Sequence, residues 1–159
     1  MQGRIFQLNT SPGGVPKLAV REAEVTESGL TGDGHNFPEI HGGPEHALCL
    51  LFTRAHLAVA SRRTSDFPGS TGENVTIVGL DWERLEPGTR LALGDDVQIE
   101  ITRYTTPCNS MEASFLDGNY ARLSQKKQSG LLPRLCANIA RWPPENRSHC
   151  AAALAAMSL

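Results

Sequence analysis

No apolar run in this chain is long enough to cross a bilayer as a helix. The longest, Ala47–Phe52 and Ala151–Met157, fall far short of the roughly 20 residues a spanning helix needs. The start of the chain carries Arg4 but no apolar stretch of the kind that marks a secretion signal. No C-x-x-C pair occurs among the four cysteines at 49, 108, 136 and 150. Reduced thiols in a cytoplasmic protein are therefore expected. Charge of one sign is also lacking: a formal net charge of -2 supplies no global field to draw the protein onto nucleic acid or an anionic membrane. An anionic ligand must be held by a local cluster. Internal repeats and interdomain linkers are missing as well, and 159 residues suit one domain with its own core.

Turn formers are plentiful, with Gly 15 and Pro 10. Arg4–Leu8 and Glu22–Thr26 read as short strands, separated by the Pro12-Gly13-Gly14 turn and Pro16. Ala47–Phe52 is a continuous apolar run that suits a strand buried on both faces. Thr53 is placed to cap a helix from Arg54 to about Arg63. After a Gly/Ser/Pro-rich stretch over 66–72, Glu73–Val78 alternates with period two, and Thr89–Leu93 makes another strand after the Pro87-Gly88 turn. Gly94-Asp95-Asp96 then reverses the chain, and Val97, Ile99 and Ile101 share one face of the following strand. Closely spaced turn signals favour a mainly β fold, a closed or nearly closed barrel with a few short helices. Helices are predicted over Asn109–Leu116 and Asn119–Lys127, broken at Asp117-Gly118.

Two places carry residues suited to chemistry. From Gly29 through Asp33 and His35 to His41-Gly42-Gly43-Pro44-Glu45-His46, glycines are interleaved with three histidines. Glycine lets backbone N–H groups approach a ligand closely, and histidine titrates near neutral pH. One reading is a pocket for an oxyanion or phosphate; the other is a long loop whose glycines serve tight turns. Zinc is not indicated, because the spacing of His35, His41, His46 and Cys49 matches no usual zinc pattern. The second place is Thr105-Thr106-Pro107-Cys108-Asn109-Ser110, where a thiol sits at the junction of a strand pattern and a helical one. The start of a helix stabilises a thiolate, the form that attacks sulfur or binds a soft metal such as molybdenum. A small buried hydrophobe is the plainer reading of a cysteine, and Cys49 inside its apolar run fits it. Cys136 and Cys150 have no companion chemistry in the sequence. Gly72-Glu73-Asn74-Val75 puts an acid and an amide at the start of a strand, and Arg21, Arg54 and Arg103 read one by one as solvated charges.

Taken in order, Gly29-Leu-Thr-Gly-Asp33, His41-Gly-Gly-Pro44-Glu-His-Ala47, Gly72-Glu-Asn-Val75, Gly79-Leu80, Leu85-Glu-Pro-Gly88 and Thr105-Thr-Pro-Cys108 resemble the MOSC domain, related to the C-terminal part of molybdenum cofactor sulfurases. The resemblance spans residues 3 to 140. It implies a β-barrel domain over 1–140 and a divergent C-terminal tail over 141–159, where Ala140-Arg-Trp-Pro-Pro departs from the family and Cys150–Leu159 forms a short helix or stays disordered. It also implies a small stand-alone protein that binds molybdenum cofactor or carries sulfur as a Cys108 persulfide. A small-substrate binding or detoxification module with Cys108 only as a molybdenum ligand is the alternative, as is a degenerate, inactive domain. Catalytic action, such as sulfur transfer or a part in a molybdenum-dependent reductase system, falls to Cys108; cofactor contacts fall to Asp33, His35, His41, Gly42, Gly43, Asn74 and Arg103. Pyridoxal phosphate enters at the level of the family alone. The partners implied are a small-molecule or cofactor ligand and a sulfur donor or redox partner protein, with no nucleic acid and no membrane. Many members carry an arginine where this chain has Gly34, and another where it has Thr105; Arg103 and His35 are placed to compensate.

Overall fold

Alternation decides which face of each strand is buried. In Val97–Tyr104 the side chains of Val97, Ile99 and Ile101 are sealed in the core while Gln98 faces out, the pattern of a strand with one wet face. The computed structural model describes residues 2–52, 67–94, 97–115, 117–124, 135–139 and 152–155. Ten strands run through them: β1 Arg4–Thr10, β2 Leu18–Val20, β3 Glu22–Thr26, β4 Gly29–Leu30, β5 Leu48–Phe52, β6 Val75–Val78, β7 Arg90–Leu93, β8 Val97–Tyr104, β9 Leu135–Ile139 and β10 Ala152–Ala155. Seven of them form one sheet in the order β2-β1-β6-β5-β9-β8-β7, and β10-β3-β4 form a second. All pairings are antiparallel except β5 with β6, which is parallel. The core lies beneath the large sheet, where Leu8, Leu48, Leu50, Val75, Ile77, Ile99 and Ile101 pack with Trp82 and Leu85.

The mainly β class agrees with the expectation from sequence; the closed barrel does not. Among the described residues β2 and β7 are the edges of the large sheet and no ladder joins them, so the architecture is two open sheets. The helices after Cys108 are also corrected. They are 3₁₀ segments at Asn109–Ser114 and Tyr120–Leu123, with Pro107 ahead of the first and Gly118, at φ 65°, between the two; residues 116 and 125–127 lie outside the described residues. The tail is corrected in part: 152–155 is neither helical nor loose but the strand β10, paired with β3. The helix expected over 54–63 and most of the 141–159 segment lie outside the described residues.

Candidate functional site

The sequence places an acid after the Gly29–Gly32 turn, and the fold buries its side chain. Asp33 accepts hydrogen bonds from the Ser11 N–H at 3.0 Å and from Asn74 Nδ2 at 2.8 Å, and pairs with the ammonium of Lys17. Both side chains of the pair are almost wholly buried. A buried ion pair persists only where further hydrogen bonds satisfy it, and here Asn74 and Ser11 supply them. His35 Nε2 lies 3.7 Å from the same carboxylate. Asn74 in turn grips β5: its Oδ1 accepts the Cys49 N–H at 3.1 Å, and its own N–H donates to the Cys49 carbonyl at 2.8 Å.

Above this network lies a cavity of about 90 Å³. Lys17, His35, His41, Gly42, His46, Cys49, Asn74, Thr105 and Cys108 are among the residues that line it. Cys108 precedes the first 3₁₀ segment in an extended conformation, partly buried, with its Sγ 2.8 Å from the Ser110 hydroxyl. Gly42, at φ 85°, faces the ring of His35: a Cβ there would meet its Cε1 and Nδ1 at 3.1 Å. The loop is held to β8 by the Thr102 hydroxyl, which donates to the Glu45 carbonyl at 2.9 Å.

Both described imidazole shifts run downward. Desolvation lowers His35 first and the Lys17 charge second, against an opposing pull from Asp33. Desolvation likewise lowers His46, followed by Arg103, against Glu45 and a hydrogen bond with the Ile40 backbone. The two rings are accordingly neutral at pH 7. Among the described residues no three His, Cys, Asp or Glu side chains are grouped to hold a metal ion.

Of the residues expected at a site, His35, His41, Gly42, Asn74 and Cys108 line the cavity. Asp33 stands behind it, touching Lys17 and Asn74. Gly43 and Arg103 are not in the lining; Arg103 is exposed on β8, and its charge is felt at the cavity residue His46. Gly34 explains itself: a Cβ there would land on the Pro12 carbonyl oxygen. No side chain fits at that position, and the cation beside Asp33 comes instead from Lys17, sixteen residues earlier. Lys17 and Cys49 are among the cavity residues that reading the sequence missed, alongside Asn36, Phe37 and Met111. For Cys49 the signal was the strand period, since Leu48 and Leu50 face the core and the residue between them must face the other side. Lys17 carried no local signal.

The family model of the MOSC domain matches residues 38–141. This chain belongs to the MOSC domain family. The chain is 29% identical over 123 residues to Protein YiiM of Escherichia coli (strain K12), covering 72% of this chain and 53% of that protein. It thus spans about half the length of that curated relative. Among solved structures, MOSC-family likeness in fold extends to YiiM from Escherichia coli, with a TM-score of 0.65 at 22% identity over 98% of this chain and 66% of that one. YiiM from Geobacillus stearothermophilus gives 0.70 at 15% identity over 98% and 72%. The YUAD protein from Bacillus subtilis gives 0.68 at 14% identity over 98% and 92%.

Proposed function

We propose that this MOSC domain binds molybdenum cofactor in the cavity, with Cys108 as its sulfur contact. The observation that carries the reading is a partly buried thiol opening into the same cavity as the His41–Gly42 turn and the Asp33-supported Lys17 and Asn74. The donor set fits the group: a thiol is a soft ligand suited to molybdenum, and the bare glycine at 42 lets a ligand approach the backbone. When bound, the cofactor would supply two-electron redox chemistry at its metal. The chain's own residues orient and shield. Asn74 fixes β5 against the cavity floor, Asp33 holds the Lys17 ammonium in place, and neutral His35 and His46 offer hydrogen bonds without adding charge. Pyridoxal phosphate fits less well, because a Schiff base would have to take Lys17 out of its buried ion pair.

Protein made in cells competent for the cofactor should copurify with molybdenum and an oxidisable pterin, and Cys108→Ser should lose both. Elemental analysis and pterin fluorescence measure this. Parent protein free of both would overturn the reading.

The Ser110 hydroxyl beside Cys108 Sγ favours a second reading, in which Cys108 carries sulfur. The thiolate attacks the outer sulfur of a donor persulfide, the donor's S–S bond breaks, the donor leaves as its thiolate, and Cys108 keeps the sulfur as a persulfide. Ser110 then steadies the anionic terminal sulfur. Incubation with a persulfide donor should add about 32 Da to Cys108. Failure to gain that mass with the other cysteines blocked eliminates the carrier.

A further inference from the structure

Two strands place a second pair of cysteines at facing register positions, one of them, Cys49, in the cavity lining. Across the β5–β9 ladder Cys49 sits directly opposite Cys136. The type of that pairing follows from where the backbone of Cys49 is bonded. Its N–H goes to Asn74 Oδ1 and its carbonyl receives the Asn74 N–H, so both backbone groups of Cys49 point toward β6. A residue's N–H and C=O lie on the same side of a strand. Toward β9, therefore, Cys49 and Cys136 form the non-hydrogen-bonded kind of antiparallel pair, whose Cα atoms stand about 4.5 Å apart. A disulfide spans Cα separations of about 4.4–6.8 Å, so the register sets the two cysteines at bridging distance. Cys49 is partly buried and part of the cavity lining, its Sγ 3.9 Å from the Thr105 hydroxyl, so a small molecule entering the cavity meets it.

We propose that Cys49 and Cys136 are a thiol–disulfide exchange site for small-molecule disulfides, reached through the cavity. Cys49 thiolate attacks one sulfur of the incoming disulfide, whose S–S bond breaks and releases one thiolate. Cys136 thiolate then attacks the Cys49 sulfur of the mixed disulfide and expels the second thiolate. The chain ends with one intramolecular disulfide and two electrons fewer, and the small disulfide ends as two thiols. The reaction does not use Cys108, and a ligand filling the cavity would close the route of the incoming disulfide to Cys49.

Peptide mapping tests it on the intact chain. The protein is equilibrated with mixtures of oxidised and reduced glutathione, quenched with iodoacetamide in denaturant and digested with trypsin. The expected product joins residues 135–141 to residues 22–54 through Cys136 and Cys49, with Cys108 alkylated. The link should persist in Cys108→Ser. In Cys136→Ser, Cys49 should instead accumulate the glutathione mixed disulfide. Alkylation of both Cys49 and Cys136 under excess oxidised glutathione overturns the proposal, as does a bridge from Cys49 to Cys108. The parent protein's map decides between these outcomes without relying on the folding of any variant.

Discussion

The carboxylate of Asp33 ties its own loop to two stretches of chain distant from each other in sequence: Ser11 and Lys17 of the 11–17 segment, and Asn74, all converge on it. Removing one member of a buried ion pair leaves the other charge uncompensated, which costs about 3–5 kcal/mol. Asp33→Ala should therefore lose stability on that scale in urea unfolding. The double variant Lys17→Met, Asp33→Asn should recover much of the loss, because no charge is then stranded. Histidine adds a pH dependence of known sign. Burial holds the folded pKa of His35 and His46 below the ordinary 6.5. As pH falls below 6.5 the unfolded chain takes up protons that the folded one declines. Stability drops until the lowered folded pKa values are passed, and is flat with respect to these groups above 6.5. Midpoints of urea unfolding measured between pH 5 and 7.5 should show this slope, and His35→Gln combined with His46→Gln should flatten it. At this scale the sequence was legible where chemistry is local. Asp33, His41, Asn74 and Cys108 stood in recognisable motifs. Lys17 did not, because only the tertiary meeting of the 11–17 segment with residue 33 makes it part of the site.

Between residue and molecule, the Gly72-Glu73-Asn74 element does two jobs with adjacent side chains. Asn74 points toward the cavity, while Glu73 is wholly buried in the other direction. There it accepts the Gly69 N–H at 2.6 Å, the Thr71 hydroxyl at 2.8 Å and the Thr76 hydroxyl at 3.2 Å. Read from sequence, the acid looked like half of a strand edge; its role is to tie the 69–72 turn to β6. Glu73→Ala would leave a buried N–H without its acceptor, and a loss of about 1–3 kcal/mol is expected. Gly69 is the matching constraint, at φ 93° with the Lys17 carbonyl where a Cβ would go. Gly69→Ala should lose about 1–3 kcal/mol through backbone strain, and the same shift should loosen the Lys17–Asp33 pair. Differential scanning calorimetry of the two variants checks both values. Strands were legible at this scale because period two is written in side chains such as Val97, Ile99 and Ile101. The segments after Cys108 were less so: apolar spacing marks a helical turn, but whether it closes as α or 3₁₀ depends on Pro107 and Gly118 at its ends.

Closure of the sheet is a property of the whole molecule, and turn spacing alone could not decide it. Short strands joined by frequent turns satisfy a barrel and a pair of open sheets equally, because the distinction lies in which edges meet. Here the second sheet has β10 from the alanine-rich tail on one side of β3, a pairing that local pattern could not announce, since alanine has no β preference. The register matches Ala152 with Val25 and Ala155 with Glu22. Alanine side chains add little apolar area, so the stabilisation by β10 rests on its backbone ladder. A net 0.5–1.5 kcal/mol for each hydrogen bond makes the loss on removing residues 151–159 about 2 kcal/mol. The change should be local as well as global. Ala23 and Val25 are buried on the core side of β3 and stay so without β10, whereas the β3 amides facing β10 lose their acceptors. Hydrogen exchange should then accelerate at those amides while the β1–β6 ladder stays protected. Uniform acceleration through both sheets would mean that the tail strand holds the large sheet together and not only the small one.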